Sequence, residues 1–108
     1  MNKCKVVHCK KERYDVYIGR PSKWGNPFTH IQDGKTLAKY IVGSRDEAIE
    51  AYREWIMTQE DLLNALPELK GKILGCWCVS EPITEIRDNK QCHGEILLQL
   101  ILEREGKV

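Results

Sequence analysis

Several things missing from this sequence narrow what it can be. No apolar run approaches the about 18 residues that a membrane-spanning helix needs, so no span is expected. The start, Met1-Asn2-Lys3-Cys4-Lys5, has no apolar signal region, and an intracellular, cytoplasmic location is expected. The net charge is +1, so no global field steers the chain toward nucleic acid, and any such contact would come from a local basic patch. There is no glycine-rich lysine-serine phosphate loop. Repeats and low-complexity segments are absent as well. The cysteines number 5, an odd count, and a chain with an ordinary core does not need bridges. They are read as thiols, ligands or core residues.

What is present fits one small domain. The 108 residues are enough for a single core spanning residues 1–108, without obligatory staples. Charge is uneven along the chain. Lys3, Lys5, Lys10, Lys11, Arg13, Arg20 and Lys23 make the first quarter basic, whereas Asp46, Glu47, Glu50, Glu54, Glu60 and Asp61 make the middle acidic. That asymmetry fits an anionic partner near the N-terminal elements, and it fits ordinary solvated charge equally well.

Periodicity predicts strands at residues 5–9 and 15–18, with Val6, Val7, Val16 and Ile18 inward. A long irregular stretch follows, with a turn at Asp33-Gly34. Residues 36–42 suit either a helical face of Leu37, Tyr40 and Ile41 or a strand at Tyr40-Ile41-Val42. Ser44-Arg45-Asp46-Glu47 is a capping box, and it predicts a helix to about residue 57 with Ala48, Ile49, Tyr52, Trp55 and Ile56 on one face. A short helix over 59–66 presents Leu62, Leu63 and Leu66. Residues 73–78 read as a buried strand, and 81–91 as a polar loop with a brief extended piece at 83–86. A last helix starts at His93 or Gly94, buries Ile96, Leu97, Leu100 and Ile101, and ends at Gly106. The expected fold is α/β: a small single-domain sheet covered by helices, of undetermined strand order and direction.

Three groups could carry chemistry. In the loop at 19–28, Gly19 and Gly25 let a ligand approach bare amides. Arg20 and Lys23 supply positive charge, and Arg20's planar fork suits phosphate or carboxylate. Trp24 and Phe28 could stack on a ring, and Asn26 could read a polar edge. The alternative is a structural loop in which the aromatics plug the core. The second group is Cys76, Cys78, Cys92 and His93. Strand alternation puts Cys76 and Cys78 on one face and Trp77 on the other, and three sulfurs with an imidazole suit tetrahedral zinc, although the spacing is not that of a standard finger. Small buried core cysteines are the alternative. The third is Cys92-His93-Gly94-Glu95 at a helix start, where a thiol is activated and His93 or Glu95 could move a proton. Adjacent residues on a helix do not face one another, so the spacing alone makes no nucleophile–base pair.

Taken together, Tyr17-Ile18-Gly19-Arg20-Pro21, Trp24-Gly25-Asn26-Pro27-Phe28, Ser44-Arg45, Leu69-Lys70-Gly71-Lys72, Cys76-Trp77-Cys78 and Cys92-His93-Gly94 resemble a family of small phage and bacterial proteins grouped as a domain of unknown function. The resemblance runs from about Val6 to Leu100. It implies a phage-encoded or bacterial protein, host cytoplasm in the former case, and a single site shared by the two cysteine motifs. Residues 79–91 are longer than the segment that typically joins the cysteine motifs in this family. The leading expectation is a binding protein for a small anionic, nucleotide-like ligand. Its pocket would lie between the 19–28 loop and the 92–95 helix start, lined by Gly19, Arg20, Lys23, Trp24, Gly25, Asn26 and His93. The alternatives are an enzyme on a nucleoside or nucleic-acid substrate using Cys92, His93 or Glu95, and a zinc-stabilised interaction module for protein or nucleic acid.

Overall fold

The computed structural model describes residues 4–20, 22–29, 40–77, 79–88, 90 and 92–104. The expected turn at Asp33-Gly34, Leu37, His30, Cys78 and the helix end at Gly106 lie outside them. Strands β1 (Lys5–His8), β2 (Val16–Tyr17) and β5 (Ile73–Cys76) form a sheet in the order β1-β5-β2. Both outer strands run parallel to β5, with Val6 beside Leu74, His8 beside Cys76, and Tyr17 beside Gly75. Strands β3 (Phe28–Thr29) and β4 (Tyr40–Ile41) make a separate parallel pair, in which the Phe28 and Tyr40 rings stack at 5.2 Å.

The order and direction that the sequence left open follow from β5. It is short, apolar and almost wholly buried, as a strand covered on both sides must be. Beyond β1, Ile83 exchanges two backbone hydrogen bonds with Val6, at 2.9 and 2.8 Å. This is the brief extended piece expected in the 81–91 loop, reduced to one bridge.

Helix α1 (Arg45–Ile56) begins where the capping box predicts. The Glu47 amide donates to Ser44 Oγ at 3.1 Å. The Glu47 carboxylate reaches back one residue further than the standard box and accepts from the Gly43 amide at 3.1 Å. Ala48, Ile49, Tyr52 and Ile56 are buried, and Trp55 lies partly buried at the edge of that stripe. Helix α2 (Glu60–Ala65) runs into a 3-10 turn over Leu66–Leu69, with Pro67 at its start, where a missing amide costs nothing. Gly71 takes φ 72, turning the chain into β5.

Helix α3 (His93–Arg104) is buried from His93 to Leu98. Gly94 explains how it lies so close to the sheet. A Cβ there would stand 2.7 Å from Ile18 Cδ1 and 3.0 Å from Val6 Cγ1. The core is therefore one layer of helix against one face of the sheet: Val6, Ile18, Leu74 and Cys76 meet Ile96, Leu97 and Leu98, with Ile49, Tyr52 and Ile56 of α1 alongside. Alternation sends Tyr17, Gly75 and Trp77 to the other face, where the Tyr14 ring lies over Gly75. No helix among the described residues is long and apolar enough to cross a membrane.

Candidate functional site

Because the strands are parallel, their carboxyl ends finish on one side, at His8, Tyr17 and Cys76. The 19–28 loop leaves from that edge, and α3 begins beside it. The two are joined directly. His93 Nε2 lies 2.7 Å from the Ile18 carbonyl, and the His93 ring packs edge-on to Tyr52 at 5.0 Å. The 19–28 loop and the start of α3 thus meet, and Cys76 and Cys92 come together across the longer 79–91 segment.

The loop is tightly wound on itself. The Ser22 amide and hydroxyl both donate to the Gly19 carbonyl, at 2.9 and 2.6 Å, and the Gly25 amide donates to the Ser22 carbonyl at 3.0 Å. Gly25 lies against Arg20 so closely that a Cβ would come within 3.1 Å of its backbone. Two bonds fasten the loop to α1: Tyr52 donates its hydroxyl proton to the Trp24 carbonyl at 2.8 Å, and the Asn26 amide donates to the Ala48 carbonyl at 3.1 Å. Asn26 Oδ1 accepts from the Phe28 amide at 2.9 Å. Burial, and secondarily the proximity of Cys92, push the Tyr52 phenol well above its ordinary pKa.

At the start of α3, a carbonyl can only accept, so His93 Nε2 carries a proton toward Ile18. In the neutral ring Nδ1 is then an acceptor, and it lies 3.6 Å from Cys92 Sγ. The Gly94 amide donates to the same sulfur at 3.3 Å, and Cys76 Sγ is 2.8 Å away. The Glu95 amide donates to the Cys92 carbonyl. Glu95 is 1% exposed and takes a bidentate grip from Arg87, at 2.8 and 2.9 Å. The hydrogen bond to Glu95 holds the Arg87 guanidinium above its ordinary pKa. This pair pins the 79–88 stretch to the helix start, a use of Glu95 that the sequence did not reveal. Arg87 gave no local signal, because its partner lies across a polar loop.

The expected ligand residues divide into distinct environments. Trp24 is 2% exposed, with its ring in the core and Lys23 Nζ 5.4 Å from it. Asn26 is buried, and its amide nitrogen and oxygen both bond to backbone groups. Lys23 also reaches Glu68 at 3.1 Å. Trp24 matches the alternative of a structural plug, whereas Phe28 is only half-buried and stacks on Tyr40. Arg20 is half-buried at the loop's start, and its carbonyl accepts from the Tyr17 hydroxyl at 3.0 Å. Among the described residues no group of three or more His, Cys, Asp or Glu side chains is disposed to hold a metal ion. Cys78, one of the expected zinc ligands, lies outside those residues.

Trp77 is the residue that sequence reasoning passed over. It follows β5 on the face away from α3 and is 54% exposed. Its indole Nε1 donates to the Tyr17 hydroxyl at 2.8 Å, His8 meets its ring edge-on at 5.7 Å, and Lys10 Nζ stands 5.5 Å from its centroid. The signal was available: alternation set Trp77 opposite two cysteines at the end of an apolar strand, which leaves the indole facing outward.

A small α/β domain with this arrangement belongs to a defined group. Residues 2–103 match the family described as Domain of unknown function (DUF4326), and the chain is a member of it. It is 40% identical over 96 residues to "Uncharacterized protein R718" of Acanthamoeba polyphaga mimivirus, covering 80% of this chain and 65% of that protein. The chain thus spans just under two thirds of the mimivirus relative's length. It is also 32% identical over 102 residues to "Uncharacterized 12.4 kDa protein in nrdA-td intergenic region" of Enterobacteria phage T4, covering 91% of this chain and 77% of that one. No solved structure matches.

Proposed function

We propose that this protein binds a small anionic, nucleotide-like ligand at the carboxyl edge of its parallel sheet, acting in the cytoplasm of a virus-infected or bacterial cell. One observation carries the reading. Three parallel strands end together at His8, Tyr17 and Cys76, and an exposed indole, Trp77, stands there beside Lys10 and the Arg20 loop. In open α/β sheets, ligands lie beyond the carboxyl ends of the strands. Trp77 takes the stacking role, since the Trp24 ring is buried. Arg20 clamps the anion, Lys10 adds charge at the rim, and the loop's bonds to α1 hold Arg20 in place. Both relatives are viral proteins, which supports the virus-encoded setting.

A thermal-shift panel of nucleoside mono-, di- and triphosphates tests this. Binding raises the melting temperature, and Arg20→Ala abolishes the rise. Trp77→Ala weakens binding by about 1–3 kcal/mol, the worth of one stacked base, or roughly 5- to 150-fold. Absence of any shift across the panel at millimolar concentration overturns the reading. Turnover of a bound nucleotide that is lost in His93→Ala, with binding retained, turns it into an enzyme.

A further inference from the structure

The start of α3 holds chemistry that ligand binding does not use. Cys76 and Cys92 are both buried, at 0% and 1% exposure, and their sulfurs are 2.8 Å apart. That is less than 1 Å beyond the about 2.05 Å length of a disulfide bond, so a small side-chain movement closes it. The two thiols are not equivalent. Cys92 Sγ receives the Gly94 amide at 3.3 Å at the head of a 12-residue helix. It also faces His93 Nδ1 at 3.6 Å, on a ring held by the Ile18 carbonyl. Nucleophile, base and orienting acceptor are therefore in successive contact: Cys92 Sγ to His93 Nδ1, and His93 Nε2 to the Ile18 carbonyl. Cys76 comes from a different element, β5, and meets Cys92 from the sheet side.

We propose that Cys92 and Cys76 form a thiol redox centre, in which hydrogen peroxide oxidises Cys92 and Cys76 resolves the product as an internal disulfide. The inference does not depend on the ligand reading. The Cys92 thiol gives its proton to His93 Nδ1, and its sulfur attacks one oxygen of the peroxide. The O–O bond breaks, and the departing hydroxide takes the proton from His93 and leaves as water. Cys92 is left as a sulfenic acid. The Cys76 sulfur then attacks the Cys92 sulfur, the S–O bond breaks, and hydroxide leaves with the Cys76 proton as a second water. Two thiols have lost two electrons, and the peroxide has gained them. A dithiol reductant reverses the change by exchange.

The test treats the reduced full-length protein with hydrogen peroxide and maps its cysteines by peptide mass spectrometry. A Cys76–Cys92 cross-link forms, dithiothreitol removes it, and the oxidised protein melts several degrees higher, because the bond closes the loop over residues 77–91. Cys76→Ser halts at the sulfenic acid, which dimedone labels on Cys92. His93→Gln keeps a donor to the Ile18 carbonyl but lacks the base, and its oxidation slows roughly tenfold or more. Three wild-type results overturn the proposal without any variant: both thiols still free after half-exposed Cys9 has reacted, a cross-link that maps to Cys78 instead of Cys76, or one bound zinc per chain that shields both thiols.

Discussion

Tyr52 occupies the point where three segments meet: α1, which carries it, the 19–28 loop, whose Trp24 carbonyl accepts its proton, and the His93 ring of α3. Its phenol is pushed above the ordinary value, first by burial and then by Cys92. In the unfolded chain the same phenol titrates near about pH 10. Above that pH the unfolded state has released a proton that the folded state still holds. Stability is therefore complete below about pH 10 and falls as pH rises toward the folded value. Tyr52→Phe costs about 1 kcal/mol at neutral pH through the lost hydrogen bond, and it shows a shallower decline above about pH 10. Melting temperatures of both proteins between about pH 8 and 11 check this, and parallel declines would refute it. The same scale separates two of the three indoles: Trp24 is buried in the core, and Trp77 is exposed.

Among the elements, α3 depends most on one residue's small size. Alanine at Gly94 would bring a methyl to 3.0 Å from Val6 Cγ1, a stiff branched side chain on β1, and to 2.7 Å from Ile18 Cδ1. Overpacking of this kind costs about 1–3 kcal/mol, and alanine's better helix propensity returns up to about 1. Gly94→Ala is expected to lose about 1–2 kcal/mol in a urea titration and to loosen the His93–Ile18 contact, and an unchanged midpoint would contradict the packing argument. The elements that could be read from the sequence were those with local causes. Ser44 and Glu47 announced α1, and the run at 73–78 announced a buried strand, which ends at Cys76, before the exposed Trp77. Of the β3–β4 pair, β4 was offered as one alternative for residues 36–42, but β3 could not be read, because Phe28–Thr29 is only two residues long inside a loop and has no period to detect. The Arg87–Glu95 pair was hidden for a similar reason. Each partner alone is an ordinary surface residue type, and only the folded 79–88 stretch makes them a pair.

In the whole molecule, the convergence of the 19–28 loop with the start of α3 was expected from the sequence pattern, but its cause was not. It depends on parallel strands, and parallel pairing is invisible until the middle strand is known. The middle strand is β5, and both β1 and β2 pair with it, more than fifty residues after they occur in the chain. This order has a consequence for biosynthesis. As the chain leaves the ribosome, its first two strands emerge with no partner and stay unpaired until Cys76 appears. The packing that locks them waits further, for α3. A fragment of residues 1–72 is expected to show no cooperative thermal transition, and mixing in 73–108 is expected to restore one, with circular dichroism as the readout. Contacts this distant must close a long loop before they stabilise anything, which slows folding. During that interval Val6, Val7 and Ile18 are exposed together, and it is then, not in the finished fold, that this chain is most open to aggregation or to a chaperone.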